Sequence, residues 1–237
     1  MRYSPNPAPK GTLSIVEKMK NEAFLEHAIG ELRKEARCLI LLSGGSDYCS
    51  LAVRRAQGAL RFDRRISHWS HRALIMEADA DDPKSGWGLD VPIHPRDDFP
   101  QTPENNGVTR FSLKRYVNTR AFPNLCLIGL SIDEKDWRKV QEQALDPNRD
   151  RTRYPLWDLL GPWSHFTYAP DALRNPLLDG VPHPSAAYLQ FALEPAGLDF
   201  TPGASGNHDS PELFWATVKH WTTQLHAAQG IGLKGVA

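Results

Sequence analysis

Cysteine is scarce in this chain: Cys38, Cys49 and Cys126 are the three in 237 residues. An odd count without regular spacing builds no disulfide framework and fits a reducing compartment. Cys38 and Cys126 sit inside apolar runs and read as inert core thiols. Net charge is missing too. Lys plus Arg and Asp plus Glu are both 28, and the isoelectric point is about 7.1. That balance gives no electrostatic reason to expect nucleic acid or an anionic membrane as partner, although a local basic patch is compatible with it. Long apolar runs are absent. No window approaches ~18 uninterrupted apolar residues, so no membrane span is expected. The opening Met-Arg-Tyr-Ser-Pro-Asn-Pro-Ala-Pro-Lys holds no apolar segment of signal-peptide type. A soluble protein is expected, cytoplasmic or exported by a route without a cleaved signal peptide. Gly44-Gly45 is not followed by Lys-Ser/Thr, which argues against a nucleotide-phosphate loop, and no cofactor is implied.

What is present is enough for a core: 41% hydrophobic residues, with seven Trp and nine Phe. Residues 1–11 read as an extended tail and residues 229–237 as a frayed one. Between Thr12 and Ala36, Leu13, Ile15, Val16, Met19, Phe24, Leu25, Ala28, Ile29 and Leu32 recur at helical spacing, interrupted near Asn21. Cys38–Leu42 is a short apolar strand ending in Ser43-Gly44-Gly45-Ser46. Asp47 is placed to cap a helix over residues 48–56. His71–Glu77 and Asn124–Ile132 are further core strands, with shorter ones expected at Trp87–His94 and Val108–Phe111. Helices are expected over residues 134–144, 156–160 and 185–193, and from Pro211 onward. There is no internal repeat or strong linker, so residues 12–228 are expected to form one α+β domain with helical extensions at both ends.

His71 is the residue on which a functional reading turns. It opens a core strand beside a glycine-rich turn, where the strand fixes its backbone and leaves the ring at the rim. A hairpin of residues 71–77 with 87–94 centred near residue 82 or 83 places His94 across from His71. His68 lies in the preceding loop. His68, His71 and His94 form only a weak zinc set, lacking a carboxylate or cysteine at matching spacing.

The order of apolar strand, Ser/Gly turn, short helix and Trp69-Ser70-His71-Arg72-Ala73-Leu74-Ile75 resembles the circularly permuted, papain-like NlpC-type hydrolases of bacteria. That group is related to the lecithin retinol acyltransferases, with histidine first and the nucleophile later. The likeness continues through Gly107-Val108-Thr109-Arg110-Phe111-Ser112-Leu113 and the Asn124–Ile132 strand to a helix approach at residues 180–190, covering about residues 36–200. It implies a papain-like antiparallel sheet packed against helices. The implied function is a hydrolase or acyltransferase, amidase or thiol protease-like, attacking an amide or ester of a peptidoglycan peptide or lipid acyl group. His71 matches the family histidine. The orienting residue would lie on the next strand, His94 first, with Asp90 and Glu104 as alternatives. Where the family carries cysteine at a helix start, His183-Pro184-Ser185-Ala186-Ala187-Tyr188 has none, and Ser185 is the nearest equivalent. Three accounts fit: a native serine nucleophile, a serine introduced in place of cysteine, or lost chemistry that leaves a module binding a partner protein or an acyl ligand. His183 and Tyr188 are expected to shape the pocket. Cys49, in Asp47-Tyr48-Cys49-Ser50-Leu51, is the alternative nucleophile; it resembles the cysteine helix start of unpermuted relatives, but only 22 residues separate it from His71.

Overall fold

The computed structural model describes residues 2–5, 20–93, 107–146, 156–198, 200 and 208–228. The expected helical turns over residues 12–19 and the tail 229–237 lie outside them. In chain order the elements are β1 (Arg2–Pro5), α1 (Asn21–Leu32), β2 (Cys38–Gly44), α2 (Tyr48–Gly58), β3 (His71–Glu77), β4 (Trp87–Asp90), β5 (Thr109–Ser112), β6 (Asn124–Leu130), α3 (Glu134–Leu145), α4 (Leu156–Tyr168), α5 (Pro184–Leu193) and α6 (Pro211–Ala228). Every strand pairing is antiparallel, in the order β1-β6-β2-β3-β4-β5. The protein is of the α+β class.

All seven residues of β2 and all seven of β6 are buried. This follows from helices covering both faces of the sheet. Leu39, Leu41, Ala73, Ile75, Leu125 and Leu127 point to a layer made by Phe24, Leu25, Ala28, Ile29 and Leu32 of α1. Ile40, Leu42, Leu74, Ile128 and Leu130 point the other way, to Trp137 and Val140 of α3, Leu189 and Leu193 of α5, and Phe214 of α6. An antiparallel sheet wetted on one face alternates apolar and polar residues. One covered on both faces gives continuous apolar runs.

The ends of the strands carry the polar detail. Asp47 caps α2, its carboxylate accepting from the Ser50 N–H at 2.9 Å and from the Ser50 hydroxyl at 2.7 Å. The turn before it is crowded. A Cβ on Gly44 would stand 1.9 Å from the His68 carbonyl oxygen, and one on Gly45 2.3 Å from Ser50 Oγ. Only glycine lets the end of β2 lie against the chain entering β3. Asn21 opens α1 from inside the protein, donating to the Tyr116 and Phe122 carbonyls at 2.7 and 2.9 Å.

Several expectations need correction. Arg2–Pro5, read as part of an extended tail, is the edge strand β1, pairing with Cys126–Gly129 of β6. The helix expected over residues 156–160 runs on to Tyr168 through Gly161 and Pro162. Trp163 and Phe166 are buried with Ala52, Val53 and Ala56 of α2, and that burial outweighs two weak helix residues. The strand expected over residues 87–94 stops at Asp90, with Pro92 lacking the N–H that a ladder needs. The hairpin register is also tighter than expected. Leu74 pairs with Leu89 and Ile75 with Gly88, with a bulge between Ile75 and Glu77. Carried forward, that register sets position 92, not 94, across from His71.

Gly44→Ala is expected to lower stability in urea unfolding by about 1–3 kcal/mol, because the added methyl meets a backbone carbonyl that cannot swing away. An unchanged midpoint would show that the turn has slack that these distances do not allow.

Candidate active site

His71 is the first residue of β3 and stands opposite Ser43 of β2. Its side chain is 13% exposed and borders a cleft of about 420 Å³ whose walls include Ser43, Asp47, Cys49, Ser50, Ser70 and Arg115. Its Nε2 lies 2.9 Å from Asp90 Oδ2, where β4 ends. Asp90 is fully buried and draws on the neighbouring strand and on the turn after it. Thr109, its pairing partner on β5, donates from Oγ1 to Oδ1 at 2.7 Å. Arg115, on the 3₁₀ turn Leu113–Val117, donates from Nη2 to Oδ2 at 2.7 Å. The Arg115 guanidinium lies over the rings of Phe111 and Tyr116, 4.9 and 4.7 Å from their centroids.

These partners fix the protonation pattern. Burial by itself would push the Asp90 carboxyl up. The Arg115 charge, then His71 and Thr109, reverse that and hold it well below the usual carboxylate range. An ionised carboxylate only accepts, so the proton in the His71–Asp90 contact belongs to His71 Nε2. In the neutral ring, Nδ1 is then the basic nitrogen.

Cys49 borders the same cleft. It is the second residue of α2 and partly exposed. A separation of 22 positions between Cys49 and His71 is too short if strands must intervene, but none does. β2 ends at Gly44, α2 starts at Tyr48, and β3 returns antiparallel with His71 opposite Ser43. The start of the helix and the start of the strand therefore meet at one end of the sheet. Burial pushes the other two thiols up, that of Cys38 to about 12 despite Arg33 nearby, and that of Cys126 further.

Ser185 has a different setting. It is fully buried in the first turn of α5. Its Oγ accepts from the Arg72 N–H at 3.3 Å and lies 2.9 Å from His183 Nδ1. The Ser185 hydroxyl and the His183 ring share this one hydrogen bond, and among the described residues His183 Nε2 is buried without a partner. His183 is buried edge-on behind His71, ring centroids 6.2 Å apart, and against Trp163 at 4.9 Å. Burial first, then the neighbouring His71 and Arg72, hold the His183 imidazole well below its ordinary value, so it is neutral. Arg72, also buried, reaches the Ala186 carbonyl and the Asp209 carboxylate. These groups join β3 to the start of α5 and to the segment entering α6. Tyr188 is fully buried and donates to the Ala144 carbonyl at 2.8 Å, a link between α5 and α3 rather than a pocket wall. His94 and Glu104 lie outside the described residues. Among the described residues no three or more His, Cys, Asp or Glu side chains are grouped to hold a metal ion, and no helix is long and apolar enough to cross a membrane.

On sequence Asp90 stands behind His94 as the orienting residue, and Thr109 and Arg115 are not among the candidates. A usable signal did exist. An aspartate closing a buried strand requires a cation, and Arg115 is the first arginine beyond the strand that pairs with it.

The depressed His183 titration has a defined sign. Below about pH 6.5 the unfolded imidazole takes up a proton and the folded one does not, so acid favours unfolding. The stability this residue allows is full above that pH and declines below it, with a limit of about 1.4 kcal/mol per pH unit. His183→Asn is expected to flatten the fall in thermal midpoint between pH 6.5 and pH 5 relative to the parent. Parallel curves would show that His183 is not held neutral.

Comparison of the chain with protein-family models, with curated proteins and with solved structures finds no match, so the chemistry of the site rests on its own atoms.

Proposed function

We propose that this protein is a papain-like cysteine hydrolase or acyltransferase acting on an amide or ester carbonyl. Cys49 is the nucleophile, His71 the base and Asp90 the orienting carboxylate. The observation that carries this reading is the His71–Asp90 contact at 2.9 Å, braced by Arg115, at the rim of a cleft that Cys49 also lines. An ionised carboxylate on Nε2 fixes the ring and stabilises the imidazolium that forms on reaction. Cys49 sits in the first turn of α2, the end of a helix whose dipole favours a nearby negative charge such as a thiolate.

In the reaction, the Cys49 sulfur attacks the carbonyl carbon and His71 holds the thiol proton. The tetrahedral oxyanion collapses, the amine or alcohol leaves with that proton, and a thioester remains on Cys49. Water, deprotonated by His71, releases the acid and regenerates the thiol; an acceptor amine or alcohol in its place completes a transfer. The likeness to NlpC-type proteins suggests peptidoglycan peptides or lipid acyl groups as substrates. Ser185 supports a second reading, a non-catalytic relative that binds a protein or acyl ligand in the cleft. The helix start where that family keeps its nucleophile is fully buried here.

Iodoacetamide separates the two. In the native protein, alkylation is expected at Cys49 alone, with Cys38 and Cys126 protected, and p-nitrophenyl acetate hydrolysis is expected to vanish with Cys49→Ala. His71→Ala and Asp90→Asn should each slow both reactions by about 100-fold or more. A Cys49 alkylation rate indifferent to His71→Ala would overturn the catalytic reading and leave the binding one.

A further inference from the structure

At the far end of α2 from the cleft, the chain makes a loop of unusual make-up. Residues 54–66 hold five arginines against a single aspartate, in a protein whose formal charge is zero. Leu60, Phe62 and Ile66 are exposed there, Phe62 completely. Arg55, Arg64 and Arg65 are exposed beside them.

The loop is not loosely held. The N–H groups of Leu60, Arg61 and Arg64 donate to the carbonyls of Gln57, Gly58 and Arg61. Asp63 accepts two bonds from the Arg61 guanidinium at 2.9 Å, and Arg61 also reaches Glu212 of α6 at 2.5 Å. Ser67 closes the far side, donating from its N–H to the Arg54 carbonyl and from its hydroxyl to Glu212 at 2.6 Å. Arg64, a non-glycine residue, sits at φ 55° at the turn. A backbone tied at so many points presents Phe62 outward in a fixed conformation.

We propose that this loop is a docking surface for an anionic lipid bilayer. Phe62, with Leu60 and Ile66 beside it, enters the boundary between headgroups and acyl chains, and Arg55, Arg64 and Arg65 face the lipid phosphates. Apolar side chains ringed by cations match a surface that is anionic outside and apolar beneath. Arg61 is paired with Asp63 and Glu212; Arg64 donates to the Ala59 carbonyl at 2.6 Å, a neutral acceptor that leaves its positive charge at the surface with those of Arg55 and Arg65. Single-stranded nucleic acid also takes arginine with aromatic side chains, but it stacks successive bases on successive rings. Phe62 is the loop's lone ring between two aliphatic residues. The proposal does not depend on the chemistry of the cleft.

Sedimentation of the 237-residue chain with phosphatidylcholine vesicles containing about a third phosphatidylserine tests it, with pure phosphatidylcholine vesicles and a single-stranded oligonucleotide alongside. Binding is expected to the phosphatidylserine vesicles only, falling as salt rises. Arg64→Gln with Arg65→Gln should weaken it by about 25-fold, each arginine near such a surface contributing about fivefold. Phe62→Ser should weaken it tenfold or more. Both variants alter exposed side chains, and circular dichroism checks that they keep the parent fold. Equal binding to both vesicle types, binding unchanged by either variant, or tighter binding to the oligonucleotide would overturn the proposal.

Discussion

A carboxylate without access to water, Asp90, sets the terms for this end of the sheet. Ionised, it has to be matched by donors, and the structure supplies three from three elements: Arg115, Thr109 and His71. None is adjacent to it in sequence. Thr109 reaches it through strand pairing, Arg115 through the turn that follows β5, and His71 through the hairpin. Each of these elements is thereby held in place relative to the others. Breaking such a buried pair leaves a charge unmatched, at about 3–5 kcal/mol, so the orientation of the His71 ring is tied to the integrity of the sheet edge.

A second buried charge does similar work on the helical side. Arg72 follows His71, and neighbouring strand residues face opposite sides of the sheet. Its guanidinium lies over the Phe214 ring at 4.9 Å and reaches Asp209 and the start of α5. Its own N–H meets Ser185. Two consecutive residues thus anchor β3 in two directions, His71 toward β4 and β5, Arg72 toward α5 and α6. The Ser185 hydroxyl belongs to this second anchorage, which is why a serine at a helix start is closed off from the cleft.

Much of the architecture was legible because burial on both faces leaves unbroken apolar strands such as Cys38–Gly44 and Asn124–Leu130. The α3 helix was legible because Asp133 caps it, accepting from the Asp136 N–H at 2.7 Å, and its apolar residues keep helical spacing. Where reading failed, the deciding force was distant in sequence. Pro162 passes through α4 because Trp163 and Phe166 find α2. The edge strand Arg2–Pro5 has no pattern that separates it from a loose tail. The orienting residue for His71 depended on a hairpin register shifted by two residues and a bulge, which shape and not composition decides. Ser185 at the start of a helix reads the same whether it faces solvent or Arg72.

Charge offers the sharpest case of that limit. Counted along the chain, cations and anions cancel, and the cancellation suggests a surface without preference. In three dimensions the charges are sorted. Asp90 with Arg115, Arg72 with Asp209 and Glu212 with Arg61 pair in or near the interior, where each fixes one element against another. What they remove from the surface is balanced, and so is what remains, but it is unevenly placed: residues 54–66 hold five arginines against one aspartate. A loop can be strongly basic in a neutral protein because net charge sums over the whole chain, while the field outside one loop is set by the exposed charges within about a Debye length of it.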